Sequence, residues 1–584
     1  MLPRKKLTLK EMQDIVNEWS EDDDEEGSDV PSADGDNVRE EPAGISALES
    51  EAESDGEIVI ECADGSDVSD FSESYDDERS SDGGETDDSS IPHIHCSPSG
   101  ILWSEEPFPV RLMNRNIVRF SQGPTFTPAT EKDSFFLFFD EEMISQLHLH
   151  TNKRMKALHK TPFSFDEIHA ALGIIIRAGS DRDNLSSLKS LFDPKDSRPF
   201  FRCAMSYNRF KLFLRYASID NRSTRRQRQV DDKMAAVRDL WNLFQRNLLK
   251  YYVPSENLTI DEQLYGYRGY VPGRSYMASK PAKYGMKIFW ICDSSNGFAL
   301  KGLIYAGKTG EHRQTGLTQS LVEELSIPFH HTNRNIYMDR YFTSFSVVSF
   351  LLEHGLTAVG TITASRRDVP AVLKTVKGRE RFSSKTLYEH QNKVLLLSYV
   401  PKKNKGVLMM SSFHQKPNIQ TETEDKKSQL IIDYNFGKGG VDIMDSRIED
   451  FTCKRKTNRY TMLMLFNIID ISVNNSFLLF AHNSPKMEKK TFMKALSEQL
   501  AHENIISRFH NPKVFAQTKE SFRHFGLSHQ TAVFSPQSTM GSKPTKCQER
   551  GCRKSTRINC HVCLKCVCCD HKITRHSCLQ CNHR

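Results

Sequence analysis

Residues 257–361 carry the pattern that most restricts what this chain can fold into. Three strand-like runs, "NLTIDEQL", "YGMKIFWICDSS" and "GFALKGLIYAG", follow one another, the last two joined by turn residues Asp293 to Gly297. The pattern then alternates: a helix at about 314–326, the strand "NIYMD", a helix at 344–354 and the strand "LTAVGTIT". Strands in a row followed by this alternation predict a mixed sheet with helices, a multidomain α/β fold.

The flanks read differently. Ser164 and Glu167 have capping-box spacing ahead of an apolar stripe at Ile168, Leu172, Ile175 and Ile176. Further helices are expected at 205–217 and 230–250, separated by "NRSTRRQRQ", read as a basic loop able to meet phosphates. Lys- and Arg-rich short strands over 366–426, including "KVLLLSYVP" and "GVLMMSSFH", suggest an inserted β-rich unit. "IIDYNFGKGGVDIMD" opens a helical stretch, and 459–482 is strongly apolar but interrupted by Asn467, Asp470, Asn474 and Asn475, which marks a core helix. No segment approaches ~18 consecutive apolar residues and the start lacks a secretory pattern, so no membrane association is expected.

Charge is distributed unevenly. Residues 1–90 hold 31 acidic and 6 basic residues, a net of −25, while the remainder holds 73 basic and 44 acidic, a net of +29. A body so basic suits a polyanion, nucleic acid above all. Residues 20–98 are too polar to offset chain entropy and read as disordered, and 8–19 can form one or two helical turns. Ser20, Ser50, Ser54 and Ser74 each have an acid three residues on, which suits an acidophilic kinase.

Acidic residues end the predicted strands. Asp261 and Glu262 follow "NLTI", Asp339 follows "NIYM", and Asp442 and Asp445 lie one helical turn apart behind the glycines of "GKGG". Converging carboxylates can hold two Mg²⁺ ions ~3.5–4 Å apart for in-line phosphoryl displacement. Glu262 should alternate to the other strand face and stay outside such a site.

Nine of the 14 cysteines lie in the last 38 residues. Donor pairs Cys547/Cys552, Cys560/Cys563, Cys568/His571 and Cys578/Cys581 could hold two Zn²⁺ ions in an interleaved cross-brace, with Cys566, Cys569, His561, His576 and His583 as spare donors.

"NLTIDEQLYGYRG", "KPAKYGMKI", "NIYMDRYFTS", "AVGTI" and "YNFGKGGVDIMD…CKRKTNRY" closely resemble the motifs of piggyBac-type transposases, in order and at similar spacing, over roughly residues 105–584. The resemblance implies a cut-and-paste DNA transposase with catalytic acids Asp261, Asp339, Asp442 and Asp445. It implies a ribonuclease-H-like core over 257–365 and 427–451, interrupted by an insertion domain at 366–426. A helical dimerisation and DNA-binding domain would be split between 105–256 and 452–529. An acidic region at 1–104, a linker at 530–546 and a cysteine-rich zinc domain at 547–584 complete the division. The implied reaction is 3′-OH attack giving hairpinned ends and integration at TTAA, by a nuclear homodimer acting on double-stranded DNA with terminal inverted repeats. Lys280, Lys283, Lys287, Arg455, Lys456 and Arg459 are the expected phosphate contacts. Tyr460, where the familiar member has Trp, is either a base-stacking residue or core packing. C-x2-C-x4-C-x2-H from Cys560 to His571 matches the family's terminal domain, implying recognition of transposon-end DNA. Two rivals remain open: a domesticated, DNA- or chromatin-binding descendant that does not cut, and a RING-like ubiquitin-ligase module at the terminus.

Overall fold

The computed structural model describes residues 60–61, 93–108, 118, 121–195, 197–307, 316–527, 545–548, 551–557 and 566–570. The helical turns expected within 8–19 and the four serines lie outside the described residues.

Strands Ile94–Cys96 and Leu102–Ser104 come first and pair at one edge of the sheet, a correction to the reading of 20–98 as disordered; helices follow before the central strands. Asp140 caps α1 (Glu141–Ala157) by accepting from the Met143 amide at 3.0 Å. Ser164 and Glu167 form the expected capping box on α2 (Phe165–Ser180), through bonds of 3.1 and 3.0 Å. Next come α3 (Tyr207–Tyr216), α4 (Arg222–Asp231) and α5 (Ala235–Leu248). Helix α4 is a correction, because "NRSTRRQRQ" is helical and not a loop. Asn221 caps it, and Arg225 and Arg228 converge on buried Asp220, each with a bond of 2.9 Å to Oδ2. Those ion pairs stabilise a helix that has no apolar stripe to announce it.

The sheet is mixed and twelve-stranded. Its centre comprises β1 (Asn257–Gly266), β2 (Tyr284–Asp293), β3 (Ala299–Ile304), β4 (Asn335–Met338) and β5 (Thr357–Thr361), with α6 (Leu317–Ser326) and α7 (Phe345–Glu353) as crossovers. β1, β2 and β3 pair antiparallel, whereas β4 pairs in parallel with both β1 and β5, so the sheet is mixed as expected. Strands β6 (Ser384–Glu389), β7 (Val394–Lys402) and β8 (Lys405–Ser411) fall in the expected β-rich insertion. They are continuous with the sheet, since β8 pairs antiparallel with β5.

Helices α8 (Gln429–Gly437), α9 (Gly440–Asp450), α10 (Tyr460–Asn483) and α11 (Lys489–Phe509) follow. Among the described residues α10 alone is long and apolar enough to cross a membrane, and most of it is buried within the protein. Its polar residues fasten it to the sheet. Asn467 donates to Gln263 (3.2 Å), Asn475 exchanges bonds with both backbone groups of Ala299, and Asp470 accepts from Tyr265, Thr452 and the Cys453 amide. Helix α11 packs on α2, and a Cβ on Gly173 would lie 2.7 Å from the Ser497 carbonyl. Segments from before and after the central strands therefore share one helical layer.

Candidate active site

Register brings the first two acids together. Parallel pairing aligns Ile260 with Met338, so Asp261 and Asp339 follow at neighbouring strand ends. Asp261 accepts from the Glu262 amide at 2.7 Å, and Asp339 accepts from the Tyr341 amide at 2.9 Å, which holds the turn after β4.

The glycines of "GKGG" explain how the third arm approaches. The Thr259 hydroxyl donates to the Gly437 carbonyl at 2.6 Å. A Cβ on Gly437 would lie 2.0 Å from the Tyr337 ring, and one on Gly440 would lie 2.7 Å from Thr259 Oγ1. Without side chains there, α8 and α9 close onto β4 and β1, which brings Asp445 to Gln263 of β1, whereas Asp442 pairs with Lys280 and lies outside the close group of Asp261, Glu262 and Asp339. Asp445 accepts from Gln263 Nε2 at 2.5 Å. Gln263 Oε1 in turn accepts from Trp290 Nε1 (3.1 Å) and Asn467. Gln263 is thus a positioning residue that sequence reading passed over. Its one signal is the spacing of two from Asp261 on a strand.

Charge is under-neutralised here. Asp261, Glu262 and Asp339 offer oxygens within 4.8 Å of one another. Burial first, then the charges of Glu262 and Asp339, push the Asp261 carboxyl well above the usual range. Burial and Glu262 push Asp339 up to about 6, and burial pushes Asp445 up to about 7 despite the Gln263 hydrogen bond. Lys280 lies 3.5 Å from Asp442 Oδ1; burial lowers its pKa, but Asp261 and Asp442 outweigh that and hold it charged. An all-oxygen cluster with surplus negative charge fits a hard divalent ion. Asp293, another strand-end acid, differs: its carboxylate accepts from Tyr252, Ser255 and Ser295 at 2.7–3.0 Å and is satisfied.

Glu262 departs from the expectation that it stays outside the site. β1 does run on to Gly266. Pairing with β4 nevertheless stops at Ile260, so no strand flanks Glu262 on that side and its longer side chain reaches the cluster.

The expected phosphate contacts divide into two groups. Lys280 is turned towards the carboxylates, and Lys287 Nζ lies 5.0 Å from the ring centres of both Phe289 and Tyr341. Arg455 is buried and donates to the carbonyls of Asp183 (3.3 Å) and Ser186 (2.6 Å). Arg459 donates to the carbonyls of Leu214, Arg215 and Ala217, which hold the start of α10. Burial and the nearby Arg154, Arg222 and Arg225 pull Arg459 down to about 10, so a concentration of positive charge surrounds it. Lys283 and Lys456 are exposed. Tyr460 is partly buried and its hydroxyl accepts from Gln229 at 3.4 Å.

Near the C-terminus, Thr545–Lys546 and Ser555–Thr556 form a hairpin. The Gln548 amide donates to the Cys566 carbonyl at 2.8 Å, bringing the later segment across it. Cys547, Cys552 and Cys568 present sulfurs within 4.8 Å of one another, those of Cys552 and Cys568 3.7 Å apart. This joins the first and third donor pairs, as a cross-brace requires. Thiolates in such a group fit zinc. Cys560, Cys563, His571, Cys578 and Cys581 lie outside the described residues.

A family model described as Transposase IS4 matches residues 130–477, more than half of the chain and the stretch holding all four aspartates. A solved structure described as a cryo-EM structure of a piggyBac transposase synaptic complex with hairpin DNA superposes with a TM-score of 0.69 at 31% identity, covering 78% of this chain and 98% of that one. This chain belongs to the piggyBac transposase family. Human PiggyBac transposable element-derived protein 2 is 23% identical over 373 residues, an alignment spanning 59% of this chain and 60% of that piggyBac relative.

Proposed function

We propose that this chain is a cut-and-paste DNA transposase whose Asp261, Asp339 and Asp442, with Asp445 beside them, hold two Mg²⁺ ions. The observation that carries the reading is the pairing of Ile260 with Met338, which sets Asp261 and Asp339 side by side with α9 closing over them. Bound there, the ions would activate the attacking oxygen and stabilise the leaving oxygen of a phosphoryl displacement. Gln263 orients Asp445, and Lys280 offsets part of the negative charge. Residues 257–365 and 427–451 are read as a ribonuclease-H-like core, with 366–426 inserted. Residues 105–256 and 452–529 are assigned to dimerisation and DNA binding, where Lys283, Lys456 and the arginines around Arg459 meet phosphates and Tyr460 meets a base. The cysteine-rich module 547–584 would bind two zinc ions and recognise transposon ends. A homodimer acting in the nucleus, through hairpin ends and at TTAA, completes the reading. The hairpin DNA in the similar solved complex supports that intermediate.

The test is excision from a donor plasmid carrying the chain's own flanking repeats, alongside a gel shift on the same DNA. Wild type should excise. Asp261→Asn and Asp339→Asn should bind but not excise, and normal excision by either contradicts the assignment. A domesticated DNA-binding protein is the second reading, favoured by the likeness to a transposable-element-derived human protein. Binding without excision by the unmodified protein supports it.

A further inference from the structure

We infer that Glu262 is a further ligand of the metal pair, binding through Oε2. This rests on the metal reading of the same centre and adds to it a carboxylate that motif matching leaves out.

Three observations converge. Glu262 is 8% exposed, and its Oε2 is buried without a hydrogen-bond partner. It also presents an oxygen within 4.8 Å of oxygens from Asp261 and Asp339, so it reaches the space that those two define. Thirdly, nearby acids of the same fold have partners that Glu262 lacks: Asp293 is surrounded by donors, Asp470 accepts from three groups and Asp445 accepts from Gln263.

A buried carboxylate oxygen with no donor is costly to leave unpaired. Because the neighbouring acids Asp293, Asp470 and Asp445 are satisfied, the orphan marks a place where something outside the chain supplies the missing interaction. The neighbouring charges specify what that is. The carboxylates of Asp261 and Asp339 repel an anion and attract a cation, Lys280 is paired with Asp442 instead, and an oxygen-only donor set selects a hard divalent ion. Lys287 does not take this role, because its ammonium lies over the Phe289 and Tyr341 rings.

Glu262 therefore joins the cluster from the residue next to Asp261. Adjacent ligands on one strand could clamp an ion from both sides of the β1 end, beyond the last residue paired with β4.

The experiment titrates purified full-length protein with Mn²⁺, a spectroscopic substitute for Mg²⁺, and follows free and bound metal by electron paramagnetic resonance. Wild type should bind two Mn²⁺ ions, and Asp261→Asn should lose most of that binding. Glu262→Gln keeps shape but removes charge, and should weaken at least one site by about tenfold or more, at least what loss of an outer-shell partner costs. If wild type binds and Glu262→Gln binds equally well, the inference fails and the metal reading stands. If wild type itself binds no Mn²⁺, the metal reading fails first. Should Glu262→Gln not fold, Glu262→Asp decides: weaker binding and an altered bound-Mn²⁺ spectrum support ligation, while a wild-type spectrum and affinity overturn it.

Discussion

Asp445→Asn is a substitution whose effect can be sized from its surroundings. Burial pushes the Asp445 carboxyl up to about 7, against the lowering effects of Gln263 and Lys280, whereas an unfolded Asp titrates near ~3.9. The folded state therefore holds this proton more tightly. The resulting stability is fully present below about pH 4 and is lost as pH rises through about 7. A gap of roughly 3 units at ~1.4 kcal/mol each gives an upper limit of about 4 kcal/mol. Asp445 is partly exposed, and screening reduces this to about 2 kcal/mol. Asn cannot ionise, yet its side-chain oxygen can still accept from Gln263. In magnesium-free buffer the melting temperature of Asp445→Asn, relative to wild type, should rise by a few degrees between pH 5 and pH 8. Adding Mg²⁺ should then stabilise wild type more than the variant. Differential scanning fluorimetry at both pH values reads this directly, and a pH-independent difference between the two proteins would refute the reasoning.

Gly437→Ala should destabilise by about 1–3 kcal/mol, because the new methyl group meets the Tyr337 ring; thermal unfolding measures it, and an unchanged melting temperature contradicts the close seam. Cys568→Ser should lower the zinc content of purified protein from two ions to one, read by elemental analysis; unaltered stoichiometry removes Cys568 from the ligand set. Deleting residues 1–90, with their net −25, should tighten nonspecific DNA binding, most at low salt; equal affinity across a salt titration excludes competition between tail and DNA.

Much of this fold is legible in the sequence because hydrophobic period survives wherever one face is buried. The strands around Asp261 and Asp339 and the capping box at Ser164 fall where that reasoning puts them. Helix α4 shows the limit of the method. Its residues are polar, and Asp220, which organises Arg225 and Arg228, lies outside the helix, so no periodic signal reports it. The centre divides the same way. Acids at strand ends can be seen in the sequence, but their adjacency depends on register, which only pairing reveals. Alternation misplaced Glu262, because period two describes where a side chain leaves the strand and not how far it reaches past the end of a neighbouring strand. Lys280 and Arg455 look like phosphate contacts by charge, yet one faces carboxylates and the other holds backbone carbonyls, partners that lie far away in sequence.

The most direct measurement of the central claim is an anomalous-difference map from crystals soaked in Mn²⁺. Density is expected among Asp261, Glu262 and Asp339, with a second peak towards Asp442 and the Asp442 carboxylate drawn away from Lys280. Ordered Mn²⁺ elsewhere, with those carboxylates bare at saturating metal, would contradict that claim.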